Sequence, residues 1–470
     1  MTSVDDLGGD PGKGLWSLAE VAERLGAQLI GNASVTPRAL SLDTRTIQPG
    51  DAFVALRAAR DGHEFASMAA EKGAGVLVVD HELDIDCPQL VVPDTQAALQ
   101  DWGRIRLEAA RPRIVFGVTG SVGKTSTKDL LASATGAWKT PGNRNNTLGV
   151  PQALAVLPGG LDTAVLEMGM STPGEIHRLT EIAPPDIAVI TNVGTAHMEN
   201  FPDGSQGIAR AKGEIVEGLK VGGAWVHLVS DAWCHWIALQ PWARRARAVS
   251  VGSIAEGCSL GWDAPCSLGA RGEAFRLKTA GSVIDIHLKL RGEHQIRNAA
   301  LAGVAASLAG FHIEDIAKGL GALEAEPGRG RLHALDGGGW LLDETYNASQ
   351  DSILACAKAV LDLEGGPAVA VLGCMRELGD ESERIHRQTG EGLKALGLDR
   401  VLVYGDHARA LASGFGPGAS AFPDFDALRE DPAGLGSLAA GDRILVKGSR
   451  YWQSERAVAW LLARQGSTIA

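Results

Sequence analysis

"IVFGVTGSVGKTSTKDLLASA", residues 114–134, is the stretch that decides how this chain is read. An apolar run enters a Gly-Ser-Val-Gly-Lys-Thr turn and leaves on a helix-forming segment. Gly120 and Gly123 permit a backbone in which successive N–H groups face phosphate oxygens. The helix expected to begin near Lys124 adds its N-terminal partial positive charge. Thr119, Gly120, Ser121, Val122, Gly123, Lys124, Thr125 and Ser126 are the candidate cradle, with Lys124 for the outer phosphates and Thr125 for Mg²⁺. The full G-x-x-x-x-G-K-[ST] pattern asks for Gly where Val118 stands. The strand, turn and helix context carries the phosphate-binding reading despite that departure.

Composition sets bounds around this motif. At 470 residues the chain is long enough for roughly three domains at about 150 residues each. Hydrophobic content of 45% and charged content of 21% fit a chain with sizeable buried cores. The net charge of −12 argues against a nucleic-acid partner, which would call for a basic face. Six scattered cysteines with no C-x-x-C pair suggest free buried thiols in a reducing compartment, not a disulfide frame or a zinc site. "MTSVDDLGGDPGKG" lacks a basic region followed by an apolar one, so no secretory signal is expected. No apolar run approaches the roughly 20 residues that span a bilayer. A cytoplasmic protein without membrane insertion is the expectation.

Three blocks follow along the chain, 1–112, 113–327 and 328–470. The first opens on "SLAEVAERLGA", where Ser17 and Glu20 have capping-box spacing and Gly26 ends the helix. "DAFVAL" and "GVLVVD" read as strands, with Phe65, Met68 and Ala69 on the buried side of the helix between them. "LDTRT" and "RDGHEF" read as polar loops, suited equally to turn geometry and to ligand binding. In the second block "AVLEMG", "IAVITNVG" and "AWVHLV" alternate with helical stretches, the pattern of a mostly parallel sheet. Ligands of such sheets gather at the carboxyl ends of the strands, where Lys124, Glu167 and His197 fall and, more weakly, Ser230 and Asp231. A carboxylate and an imidazole beside a phosphate site are candidate Mg²⁺ ligands, although histidine is unusual for so hard an ion. The third block holds four strands, "WLLDETY", "AVAVLG", "RVLVYG" and "RILVKGS", as in a smaller Rossmann-like domain. It has no G-x-G-x-x-G, so no dinucleotide is expected. Its strand-end loops serve either packing or one wall of a cleft facing the P-loop. "EAEPGRGR" marks the boundary between the second and third blocks.

Taken together the motifs resemble the Mur ligases, ATP-dependent enzymes that form amide bonds in peptidoglycan synthesis. "VTGSVGKTST", "TPGNRNNTLGVP", "LEMGMSTPGEI", "ITNVGTAHMENF", "ARAKGEI", "GEHQIRNAALA" and "LVKGSR" all look like segments of that family, in its order and over nearly the whole chain. Its P-loop also lacks the first Gly. The resemblance implies three α/β domains: a small UDP-substrate domain, a central P-loop ATPase domain and a C-terminal Rossmann-like domain for the acceptor. "LDETYNASQDSI" and "VLGCMRELGDES" look like the members that join D-alanyl-D-alanine to UDP-N-acetylmuramoyl-tripeptide through an acyl phosphate. Members that add the third amino acid share the type of first block but carry an Asp-Asn-Pro-Arg motif, which is missing here. A folylpolyglutamate synthase is disfavoured by the first block. A GTPase-like switch is disfavoured by the lack of Asn-Lys-x-Asp. Two segments depart from the family pattern near the expected acceptor site: "NASQ" in place of Asn-Ala-Asn-Pro, and "YWQSE" after Lys-Gly-Ser-Arg.

By matched position, Thr125, Glu167 and His197 resemble metal ligands. Lys212 resembles a lysine that is carbamylated to support a second Mg²⁺. Lys124, Glu167, His197 and Lys212 are thus the implied catalytic set. Asn298 matches an adenine-contacting asparagine, with His294 one turn earlier on the same helix face. Arg331, with Arg329 as the alternative, and Asp343 resemble third-domain residues that reach the nucleotide on closure. Asp43, Thr44, Arg45, Asp61 and His63 match UDP-binding loops. Asn146, Thr147, Tyr346, Asn347, Lys447 and Ser449 fall to the remaining substrate contacts, with Lys447 and Arg450 as candidates for the acceptor carboxylate. A monomer is expected.

Overall fold

The computed structural model describes residues 16–195 and 197–469, so the reading of the first fourteen residues lies outside the described residues. Among the described residues the strands form three sheets, of five, nine and seven strands in chain order. The first sheet runs Gln28–Ile30, Gln89–Val91, Val76–Val79, Ala52–Val54, Leu40–Ser41, parallel except for its first pair. Its opening helix, Leu18–Leu25, has the capping box read from Ser17 and Glu20 and ends at Gly26, whose φ is 62°. Met68 is a correction. The helix begins only at Ala66, after a 3-10 turn over Gly62–Phe65, so Ala66 and Ala69 face inward and Met68 faces solvent.

The second sheet carries β1 (Ile114–Thr119), the P-loop and α1 (Lys124–Thr135), then β2 (Thr163–Glu167) and β3 (Ile187–Ile190). Helix α2 (Gly204–Glu217), β4 (Ala224–Leu228) and α3 (Glu293–Leu308) follow. Strands β2, β1, β3 and β4 are neighbours and parallel. Side chains alternate along each strand. Phe116, Val118, Val165 and Val189 pack under α1 and α3, while Val115, Ala164, Leu166 and Ile190 pack against α2 and helices Gly149–Leu154, Glu175–Ile182 and Ala232–Leu239. Both faces are covered, which is why these strands read as unbroken apolar runs. An extension was not legible in the sequence: Arg247–Ser253 and then Gly261–Ser267 join in parallel, and Glu273–Lys278 and Val283–Leu288 continue the edge with antiparallel pairing.

The third sheet contains β5 (Trp340–Glu344), then α4 (Gln350–Leu361), β6 (Ala368–Gly373) and β7 (Arg443–Lys447). Strand β7 lies between β5 and β6, parallel to both. Arg331–Leu335, Ala419–Phe422 and Ser467–Ile469 add three strands to the four expected. The "NASQ" departure is absorbed at the start of α4: Ser349 is the N-cap, its hydroxyl accepting from the Ser352 N–H, and Gln350 takes the first helical position. The cysteines are not uniformly buried. Cys234, Cys356 and Cys374 are, Cys87 and Cys258 are half-buried, and Cys266 is exposed; none forms a disulfide.

Candidate active site

The carboxyl ends of the second and third sheets face each other across one cavity of about 780 Å³. The loop between β1 and α1 forms its floor. Gly123 sits at φ 80°, and a Cβ there would lie 2.7 Å from Asn298 Oδ1, so this turn and α3 are in contact through a missing side chain. The expectation that the whole loop presents amides is corrected in part. The N–H groups of Ser121 and Val122 donate to Asn192 Oδ1, at 3.1 and 2.9 Å. The N–H groups of Gly123, Lys124, Thr125 and Ser126 have no partner among the described residues, which is the usual condition of a helix start and the one that binds anions.

Lys124 folds over the loop and donates to the carbonyls of Gly120 and Ser121 at 2.8 and 3.1 Å. The residue as a whole is half-buried, yet desolvation of its ammonium group lowers its pKa. Thr125 donates its hydroxyl to Glu167 Oε2 at 2.8 Å, and Asn145 Nδ2 donates to Glu167 Oε1 at 2.8 Å. Both Thr125 and Glu167 are buried, and the Thr119 hydroxyl is a buried polar group with no partner. This set of hard oxygen donors beside free loop amides fits Mg²⁺ and a nucleoside triphosphate.

His197 follows β3 with φ 62°, and its Nδ1 lies 2.6 Å from a carboxylate oxygen of Glu377, whose own φ is 64°. The pair joins the second sheet's loops to the third's, and its members have left-handed backbones that non-glycine residues seldom adopt. The hydrogen bond from His197 holds the Glu377 carboxyl below its ordinary range. Lys212 on α2 is buried, lies outside the cavity lining and makes no ion pair among the described residues. Burial, with the nearby Lys124 charge, pushes its pKa well below the usual lysine value.

The other candidates divide. His294, Asn298, Asn146, Tyr346, Asn347, Lys447, Ser449, Ser230 and Asp231 line the cavity. Of these, Asn146 Oδ1 accepts from the Gly149 N–H at 2.7 Å, and Asp231 accepts from the N–H groups of Val193 and Cys234. Lys447 is 4% exposed with its ammonium 3.5 Å from Glu344 Oε2. Arg331 and Asp343 do not line the cavity, whereas Arg329 does, its guanidinium 3.5 Å above the Tyr346 ring. Asp343 accepts from the Gly328 N–H and from Thr345, so its place is to shape the chain entering and leaving the third sheet. Thr147 lies outside, its carbonyl accepting from Gln100. Arg450 pairs with Glu455 at 3.0 Å and also lies outside.

Asp43, Thr44, Arg45, Asp61 and His63 form two local groups on the first sheet, away from the cavity lining. Arg45 pairs with Asp43 and holds its carboxyl down to about 2. Asp61 binds His63 Nδ1 at 2.6 Å and Arg57 at 2.7 Å. The sequence reading missed Asn145, Asp351, Arg376 and Glu377, all of which line the cavity. All four stood inside quoted motifs; Arg376 and Glu377 lie just after β6, so position at a strand end was the signal available for them, whereas Asp351 lies in the first turn of α4.

The sequence pattern of the Mur ligase middle domain matches residues 118–306, and that of the Mur ligase, glutamate ligase domain matches 328–450. The chain belongs to the Mur ligase family. The UDP-N-acetylmuramoyl-tripeptide–D-alanyl-D-alanine ligase of Escherichia coli is 36% identical over 94% of this chain and 97% of its own length. A crystal structure of MurF from Acinetobacter baumannii superposes with TM-score 0.86 and 32% identity, covering 96% of this chain and 99% of that one. A MurF ligase from Thermotoga maritima in complex with ADP superposes with TM-score 0.77 and 28% identity over 91% of this chain and 97% of that one. The Mur ligase assignment carries ATP use with it. Among the described residues no helix is long and apolar enough to cross a membrane.

Proposed function

We propose that this Mur ligase joins D-alanyl-D-alanine to the peptide carboxylate of UDP-N-acetylmuramoyl-tripeptide, with cleavage of ATP to ADP and phosphate, in cytoplasmic peptidoglycan precursor synthesis. The observation that carries the reading is the single cavity that holds both the P-loop with its Thr125–Glu167 pair and the strand ends of the third sheet. The near full-length match to a ligase of that name supports the choice of acceptor. The three sheets correspond in this reading to domains 1–112, 113–327 and 328–470, for the UDP-substrate, ATP and acceptor.

A carboxylate is a poor electrophile until one of its oxygens becomes part of a leaving group. Transfer of the γ-phosphoryl group supplies that, and the acceptor amine then displaces phosphate from the acyl carbon. The protein's task is positioning and charge neutralisation. The free amides of Gly123 to Ser126 and the Lys124 ammonium hold the phosphates. Thr125, Glu167 and His197 would hold Mg²⁺, whose contribution is to neutralise phosphate charge. For the last of these His197 must leave Glu377. Asn298 and His294 flank the adenine, and Arg329 in place of Arg331 serves the nucleotide from the third domain. Lys447, beside the half-buried Glu344, meets the acceptor carboxylate. Asp43, Thr44, Arg45, Asp61 and His63 receive the UDP moiety. Lys212 has two properties that favour carbamylation, a pKa lowered by burial and no competing carboxylate; the product would be an anion able to support a second Mg²⁺.

The test is phosphate release and product analysis with UDP-tripeptide or UDP-dipeptide donor and, separately, D-alanyl-D-alanine, meso-diaminopimelate, L-lysine or glutamate. Ligation is expected for the tripeptide with the D-dipeptide. Addition of a single amino acid to the dipeptide donor, with the D-dipeptide ignored, would move the protein one step earlier.

A further inference from the structure

Six carboxylates line the cavity, and five of them are engaged within the protein. Glu167 accepts from Thr125 and Asn145, and Glu175 from the N–H groups of Ser171 and Thr172. Asp231 accepts from two amides, Glu344 is paired with Lys447, and Glu377 with His197. Asp351 alone, among the described residues, has neither a hydrogen bond nor an ion pair to its carboxylate. It stands in the first turn of α4, fixed there by the Ser349 cap, and so belongs to the third sheet's domain. Its Oδ2 nevertheless reaches across to Gly194, on the loop after β3, whose N–H donates to the Ser121 hydroxyl of the P-loop at 2.8 Å. A Cβ built on Gly194 would lie 3.3 Å from Asp351 Oδ2 and 3.3 Å from Ser121 Cβ.

An unpaired carboxylate held over the phosphate loop is poorly explained by nucleotide binding, since it repels phosphate. It is well suited to a cation arriving late. The acceptor of the ligase reading is such a cation, because the amine of a dipeptide is an ammonium ion at neutral pH. We propose that Asp351 receives the ammonium group of the incoming amine and takes its proton as the nitrogen attacks the acyl phosphate. The proposal rests on that reading and names a residue within it. The ammonium gives one proton to the Asp351 carboxylate, and the freed lone pair forms the C–N bond. The C–O bond to phosphate then breaks with its electron pair leaving on phosphate. The departing phosphate takes the second nitrogen proton, and the proton on Asp351 passes to water. Desolvation of the Asp351 carboxyl against the loop, together with the neighbouring Asp231 charge, raises its pKa, which makes it a better base although the residue is open to the cavity.

Hydroxylamine separates the steps, because it is already neutral at neutral pH and traps acyl phosphate as a hydroxamate without a base. With ATP and UDP-tripeptide, Asp351→Asn is expected to form hydroxamate within about threefold of wild type. With D-alanyl-D-alanine its kcat should fall by about 10²- to 10⁴-fold, the usual span for a general base. Asp351→Glu should recover part of the amide-forming rate. Equal amide formation by Asp351→Asn and wild type would overturn the proposal. So would a parallel loss of hydroxamate and amide, which would place Asp351 with the nucleotide or its metal. If wild-type protein forms hydroxamate yet ignores D-alanyl-D-alanine, it is the choice of acceptor that fails.

Discussion

Replacing Glu167 by glutamine tests the phosphate and metal reading at its centre. The residue is 2% exposed, and each carboxylate oxygen accepts one hydrogen bond, from Thr125 at 2.8 Å and from Asn145 at 2.8 Å. Glutamine keeps one acceptor and turns the other position into a donor. The threonine hydroxyl can rotate and the asparagine amide can turn over, so the mismatch is absorbed locally at about 1–3 kcal/mol. Lys128 loses an anion 3.8 Å away but keeps Asp129 at 3.4 Å and the carbonyls of Thr140 and Gly142 at 3.2 Å. The fold should therefore survive, with Tm lowered by a few degrees. Catalysis should suffer more. Removing one charge that acts in the transition state costs about 3 kcal/mol, and at about 1.4 kcal/mol per decade that is a loss of roughly 150-fold in kcat. Thermal denaturation and phosphate release under saturating substrates, across a Mg²⁺ titration, measure both effects. A folded variant that turns over within about threefold of wild type at every Mg²⁺ concentration would refute the assignment of Glu167.

Lys212→Ala should lose most activity and recover part of it when short carboxylic acids are added, since these replace a carbamate anion; density for an unmodified lysine in crystals grown with bicarbonate and Mg²⁺ would count against the modification. Gly123→Ala places a side chain at φ 80° and 2.7 Å from Asn298 Oδ1, a backbone cost of about 1–2 kcal/mol before the contact is relieved. ADP affinity measured by calorimetry should fall about tenfold or more, and an unchanged affinity would contradict the cradle. The His197–Glu377 and Glu293–Lys358 pairs, at 2.6 and 2.7 Å, tie the second domain to the third. Solution scattering should show the protein contracting when ATP and UDP-peptide are added, because closure assembles the site and excludes water. Equal dimensions with and without ligands would remove that idea.

Much of this protein is written locally. The capping box of Ser17 and Glu20, the start of α1 at Lys124 and the covered parallel strands depend on contacts between near neighbours or on strands apolar throughout, and each was legible in the amino acids. The extension of the sheet over residues 247–288, antiparallel only in its last pairings, was not. Its strands alternate between exposed and buried residues over short spans, such as Val283–Leu288, and resemble loops until a partner is known. Met68 failed for a related reason: periodicity gives the faces of a helix but not its first residue, and a 3-10 turn shifted the register.

The same division runs through the site. Gly123, Lys124 and Thr125 are consecutive, so their chemistry could be read from the motif. Which groups meet them could not. Asn145 reaches Glu167 from a separate loop, Asp351 reaches Gly194 beside the P-loop from another domain, and Arg329 rather than Arg331 enters the cavity because Arg331 is committed to a strand paired with Asp343. Sequence alone pointed to the turn from Gly123 to Ser126 as the candidate phosphate cradle, since a helix start needs only neighbouring residues, but not to Asn192, which takes the Ser121 and Val122 amides. Tertiary structure decided which distant carboxylates were left unpaired, because pairing depends on positions that only the packed sheets bring within a few ångströms.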